Sequence, residues 1–135
     1  MIAVDTSALL AIVFDEPEAE ACISVLEGAD KLLISAGTIA ELLIVGEQRN
    51  VGGEVSALLA GLGFEIMSVT AASARRIAAA YERWGKGVHP AGLNYGDCFA
   101  YELATSSRCP LLFVGDDFSQ TDVRSALLGR TRMSS

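Results

Sequence analysis

Four short apolar runs, separated each time by two stretches of helical periodicity, restrict the fold of this chain more than any other feature. The runs are Ile2-Ala3-Val4, Lys31-Leu32-Leu33-Ile34-Ser35, Phe64 to Val69, and Leu111-Leu112-Phe113-Val114. Each is of strand length and strand character. Between the first two lie Ala8 to Phe14 and a segment in which Ala21, Cys22, Val25 and Leu26 form one apolar side, ended by Gly28. Next come a helix near Gly37-Thr38 and a segment carrying Val55, Leu58, Leu59 and Leu62. Before the last run stand an alanine-rich helix through Tyr81 and Trp84 and a helix opening at Asn94. Strands joined through helices pair in parallel with right-handed crossovers. The pattern predicts a three-layer α/β/α fold around a central, mostly parallel sheet of four to five strands. With no repeat, low-complexity segment or linker, residues 1–135 read as one domain, Arg130 to Ser135 being a frayed tail.

Local signals place the element ends. Thr6 or Ser7 is expected to cap the first helix, and Pro17 to occupy the first position of the second. Asn94 is a good N-cap, and Asp97, three residues on, can turn back to free backbone N–H groups in the manner of a capping box. Gly85 to Gly92, with His89 and Pro90, reads as a mobile loop.

Composition excludes several classes. No apolar run reaches the roughly 18 residues of a membrane span, and MIAVDTS carries no basic region before an apolar segment. Cys22, Cys98 and Cys109 have neither CxxC nor zinc spacing. They read as small core residues of a cytoplasmic protein in a reducing compartment. A single histidine, His89, rules out multi-histidine metal sites. The net charge of −7 argues against nucleic-acid binding by bulk electrostatics. Yet residues 1–70 hold 2 Lys/Arg against 11 Asp/Glu, whereas residues 71–135 hold 8 against 6. The densest cationic stretch is Arg75, Arg76, Arg83 and Lys86, followed by His89. It is either the solvated face of a helix or a local patch for a phosphate backbone.

The acids carry the chemistry. Asp5 follows the first strand and Asp116-Asp117 the last, at the sheet edge where open α/β folds bind ligands. Asp97 lies in the first turn of one helix and Glu41 in the second turn of another, both starting from that edge. Glu41 has Ile44 and Val45 three and four residues on, so its carboxylate is expected on a largely apolar face. Taken alone, Asp97 is a capping acid; together, about four carboxylates enter one crevice. Like charges that close raise one another's pKa, and a divalent cation removes the conflict. Oxygen-only ligation favours Mg²⁺ or Mn²⁺, and phosphodiester cleavage is the natural chemistry.

These residues stand in a recognisable order. Val4-Asp5-Thr6-Ser7-Ala8, Glu41 in its apolar helix, Leu93-Asn94-Tyr95-Gly96-Asp97-Cys98, and Leu111 to Phe118 with Thr121-Asp122 resemble the PIN-domain family. The likeness is to its VapC-type toxin ribonucleases and covers nearly the whole chain. It implies a PIN-like fold, a metal-dependent endoribonuclease, a VapB-type antitoxin as partner, and a homodimer. It makes Asp5 and Asp97 the principal metal ligands and Glu41 a further ligand or the group orienting the attacking water. For the fourth acid it offers both Asp116 and Asp117, with Asp117, beside Phe118, favoured. Thr6 or Ser7 would hydrogen-bond a ligand carboxylate or a metal-bound water.

Two rivals compete. A magnesium-dependent phosphatase with Asp5 as nucleophile would want a second Asp where Ser7 stands, and a lysine partner better placed than Lys86. A PIN-like module that binds RNA or protein without cleaving would have no need of the intact acid set.

Overall fold

The computed structural model describes residues 1–127; the tail expected at Arg130 to Ser135 lies outside them. Four parallel strands form one sheet: β1 (Ile2–Val4), β2 (Leu32–Ser35), β3 (Glu65–Met67) and β4 (Leu111–Leu112). Their order across the sheet is β3-β2-β1-β4. The register pairs Ala3 with Leu33 on one side and with Leu111 on the other. Six helices connect them in pairs: α1 (Thr6–Val13), α2 (Ala19–Gly28), α3 (Ala36–Gln48), α4 (Gly52–Leu62), α5 (Ala71–Trp84) and α6 (Tyr95–Ser107). The expected order of elements is the observed one, and the sheet has four strands.

Side-chain alternation splits the interior into two cores. Ile2, Val4, Leu32, Ile34 and Leu112 pack with Leu9, Cys22, Leu26, Leu42 and Val55. Ala3, Leu33 and Leu111 face the other way, onto Ile77, Trp84, Leu93, Phe99 and Leu103. Successive strand residues point to opposite faces, so a continuous apolar run fills both. All three cysteines are buried and free.

Local expectations fail in instructive places. Asp5 itself caps α1, its side chain accepting from the Ser7 N–H, which leaves the Thr6 and Ser7 hydroxyls for other work. Pro17 lies in the turn before α2, which starts at Ala19 after Glu18. The last strand stops at Leu112 rather than Val114, because the Val114 N–H leaves the ladder and donates to Ser7 Oγ at 3.0 Å. The glycine-rich loop after α5 is tied down. Lys86 N–H donates to the Leu93 carbonyl, Leu93 N–H to that of Trp84, and Ala91 N–H to His89 Nδ1. The His89 ring also stands edge-on to Trp84, with ring centres 4.8 Å apart.

Candidate functional site

Asp5 ends β1 in the middle of the sheet, beside β4 and its following turn. The chain leaves β1 toward β2, and β4 returns on β1's other flank, so the crevice opens where the strand order reverses. Asp5 Oδ2 accepts from the Ser7 backbone N–H at 3.0 Å and from the Ser7 hydroxyl at 2.7 Å. Its Oδ1 is buried with no hydrogen-bond partner. A carboxylate oxygen without a donor is costly in a dry interior. Burial first, then the nearby charge of Glu41, raises the Asp5 pKa to about 6 against the pull of the Ser7 bonds and of the Thr6 backbone N–H.

Asp97 comes from α6, and the sequence builds that end as expected. Asn94 Oδ1 accepts from the Asp97 N–H at 2.8 Å, and Asp97 Oδ2 accepts from the Asn94 N–H at 3.0 Å. This capping box fixes the carboxylate while leaving its other oxygen available. Burial is again the main influence on its pKa, with Asp5, Asp117 and Glu41 adding in that order. Against the Asn94 bond they push it to about 7.

Glu41 reaches the same place by a different route from the one its neighbours suggested. Of the two apolar residues three and four positions on, Ile44 is 59% exposed and Val45 half-buried, so that face is only partly covered. Instead Glu41 Oε1 accepts from the Thr6 hydroxyl at 2.6 Å, and the carboxylate lies against Gly96 in the first turn of α6. Ser7 links Asp5 to Val114, just ahead of the acidic turn. Phe118, buried against Phe113, anchors that turn. Asp117 is near enough to raise the pKa of Asp97, and the Asp116 carbonyl caps Ser119. Asp5, Glu41, Asp97 and Asp117 are thus electrostatically one group. Replacing Asp117 by Asn should therefore lower the Asp97 pKa, and Asp116→Asn should lower it less; carboxyl carbon NMR titration reads both.

The cationic stretch is less available than its sequence suggests. Arg76 Nε donates to the buried Glu102 at 3.0 Å. Arg83 lies over Trp84 and 3.6 Å from Asp122, which in turn accepts from the Tyr101 hydroxyl. Arg75 is exposed, and Lys86 lines a groove of about 830 Å³ between α5 and α6, beside Tyr81, Asn94 and Tyr95.

The chemistry of the donor set fits a hard cation: an orphaned, buried carboxylate oxygen on Asp5, with Asp97 beside it held above its ordinary pKa. Among the described residues no three acidic side chains converge closely enough to hold one ion as they stand. Sequence reasoning missed Gly96 and the Ser7–Val114 link. A glycine second in a helix, where a better helix former is expected, was the available signal for the first.

Carboxylates gathered at the carboxyl edge of a four-stranded parallel sheet, between paired helices, define an α/β protein of the PIN class. Residues 2–124 match the PIN domain family. Ribonuclease VapC30 of Mycobacterium tuberculosis is 43% identical over 128 residues, covering 93% of this chain and 98% of that protein. Ribonuclease VapC of Mycolicibacterium smegmatis is 46% identical over 127 residues, covering 89% and 95%. In fold, the chain is similar to Mycobacterium tuberculosis VapC20, a sarcin–ricin loop cleaving toxin. The TM-score is 0.74 at 15% identity, over 91% of this chain and 96% of that one. The chain belongs to the PIN-domain family, among the VapC ribonucleases. Members of that group depend on a divalent metal ion. No helix of the described residues is long and apolar enough to cross a membrane.

Proposed function

We propose that this chain is the toxin of a toxin–antitoxin pair, an endoribonuclease of the cytoplasm that cleaves RNA phosphodiester bonds with Mg²⁺ or Mn²⁺. The observation that carries the reading is the buried, unpartnered Oδ1 of Asp5 beside an Asp97 whose pKa is about 7. Asp5 and Asp97 would hold the ion directly. Glu41 and Asp117 would complete the donor set, and either would be placed to take a proton from a water in the crevice. When bound, the ion supplies Lewis acidity toward the phosphate and a more acidic water. Ser7 fixes Asp5 and, through Val114, the Asp117 turn; Thr6 fixes Glu41. Incubation with total RNA is the test. Cleavage that EDTA stops, Mn²⁺ restores and Asp5→Asn abolishes is expected; cleavage that survives both EDTA and Asp5→Asn would overturn the reading.

An acidic crevice invites a cationic stopper. The partner is a VapB-type antitoxin that covers exposed apolar side chains such as Leu43 and Ile44 and sends an Arg or Lys toward Asp5 and Asp97. The toxin itself pairs as a homodimer.

RNA must be held by local charge, since the whole chain is acidic. Arg75 and Lys86 are the cations best placed for this; Arg76 and Arg83 are engaged with Glu102, Trp84 and Asp122. Lys86→Ala should therefore weaken RNA binding and flatten its salt dependence, with the cut site unchanged. Arg76→Ala should instead lower stability by about 1–3 kcal/mol, because it strips a charge-assisted partner from buried Glu102. Binding isotherms at several salt concentrations and thermal melts separate the two effects.

A further inference from the structure

Helices α3 and α6 meet through two glycines, each second in its helix. A Cβ on Gly37 of α3 would stand 2.6 Å from Cε1 of the α6 Phe99 ring and 2.7 Å from its Cγ. A Cβ on Gly96 of α6 would stand 2.5 Å from the carboxyl carbon of the α3 Glu41 and 2.7 Å from Oε1. The exchange is reciprocal: each helix gives a side chain to the other's glycine. The two guests differ in kind. Phe99 is a packed ring, 9% exposed, whereas Glu41 is a flexible acid whose far end alone touches the glycine.

We infer that Gly96 is a positioning residue for the ribonuclease reaction: its missing side chain is the seat that keeps the Glu41 carboxylate beside Asp5 and Asp97. Glu41 has two restraints, the Thr6 hydroxyl on one side and the bare first turn of α6 on the other. A methyl group at position 96 fills the seat. The carboxylate then has to swing away, because the backbone of α6 cannot: Asn94 and Asp97 lock that turn reciprocally. The swing is sterically cheap, so the loss falls on chemistry rather than on folding. A glycine here also works against helix propensity, which favours alanine at this position. The inference rests on the proposed ribonuclease activity for its catalytic arm alone.

Wild type, Gly96→Ala, Glu41→Ala, the double variant and Gly37→Ala, all as full chains, test it. Gly96→Ala should melt at or above the wild-type temperature, while Gly37→Ala, which presses on Phe99, should melt on the order of 5 °C lower. RNA cleavage by Gly96→Ala should fall to the level of Glu41→Ala, about 10²-fold below wild type, and the double variant should fall no further. The NMR signal of the Thr6 methyl, which reports on its bond to Glu41, should move in Gly96→Ala toward its position in Glu41→Ala. Wild-type cleavage by Gly96→Ala, a double variant slower than Glu41→Ala, or an unmoved Thr6 methyl would each overturn the inference. So would a melting temperature as low as that of Gly37→Ala, since the residue would then be a packing position. Should the wild type itself fail to cleave RNA, the proposed function falls, and the Thr6 signal and the melts still decide the seat.

Discussion

Asp97→Asn should abolish RNA cleavage, by about 10³-fold or more, and at the same time make the metal-free protein more stable. The two effects have one cause. Asp97 is held to a pKa of about 7 by burial and by Asp5, Asp117 and Glu41. In neutral solution without a divalent ion, its charged form is therefore a strain on the fold. Each unit by which folding raises a pKa corresponds to about 1.4 kcal/mol. Asparagine removes the charge but keeps an oxygen to accept from the Asn94 N–H, so the capping box of α6 survives. A gain of about 2–4 kcal/mol is expected, or on the order of 10 °C in melting temperature in EDTA near neutral pH. Asp97→Ala is the control: it discharges the crevice as well, but it breaks the box and should gain less. Thermal melts of the three proteins in EDTA measure this, and an Asp97→Asn variant less stable than wild type would refute the account.

The dependence of stability on pH should flatten when a divalent ion is added. Asp5 and Asp97 are raised from 3.8 to about 6 and about 7. Between those limits the folded protein binds more protons than the unfolded chain. Their contribution is therefore fully present below about pH 4 and is lost as pH rises through about 6 and then 7. Metal-free protein should melt progressively lower across that window. The ion competes with the same protons and binds only the folded crevice. At a free concentration about 100 times its dissociation constant it contributes about 2.7 kcal/mol. In millimolar Mn²⁺ the melting temperature should then fall much less steeply with pH across that window, because the ion displaces the protons that the folded carboxyls would otherwise take up. Parallel slopes in the two buffers would show that no ion engages these carboxylates.

Much of the fold was legible because it depends on near neighbours in the chain. Apolar run length and helical spacing located the four strands and six helices of the described residues in order, and parallel pairing follows from connections of that kind. The Asn94–Asp97 box was equally legible, since both partners lie within one helical turn. The four acids could be gathered at one edge for the same reason: each sits within two turns of an element end whose direction the topology sets. Where the reading slipped, the competing partner was distant in sequence. Thr6 and Ser7 look like caps, but Asp5 takes that role, and their hydroxyls turn to Glu41 and Asp5. Ser7 also draws Val114 out of β4 across a separation of 107 residues, so the strand ends two residues early.

The sequence by itself therefore determined the class of fold, the sheet edge that carries the chemistry, and the residue types placed there. Only the tertiary structure decided how those residues are held. It put the Glu41 carboxylate against Gly96 and the Thr6 hydroxyl, and brought Asp117 near enough to raise the pKa of Asp97. It also turned Arg76 and Arg83 from free cations into partners of Glu102 and Asp122. The physical reason is range. Periodicity and capping act over a few residues and are written locally, whereas burial, pKa and ion pairing depend on which side chains from remote segments exclude water together.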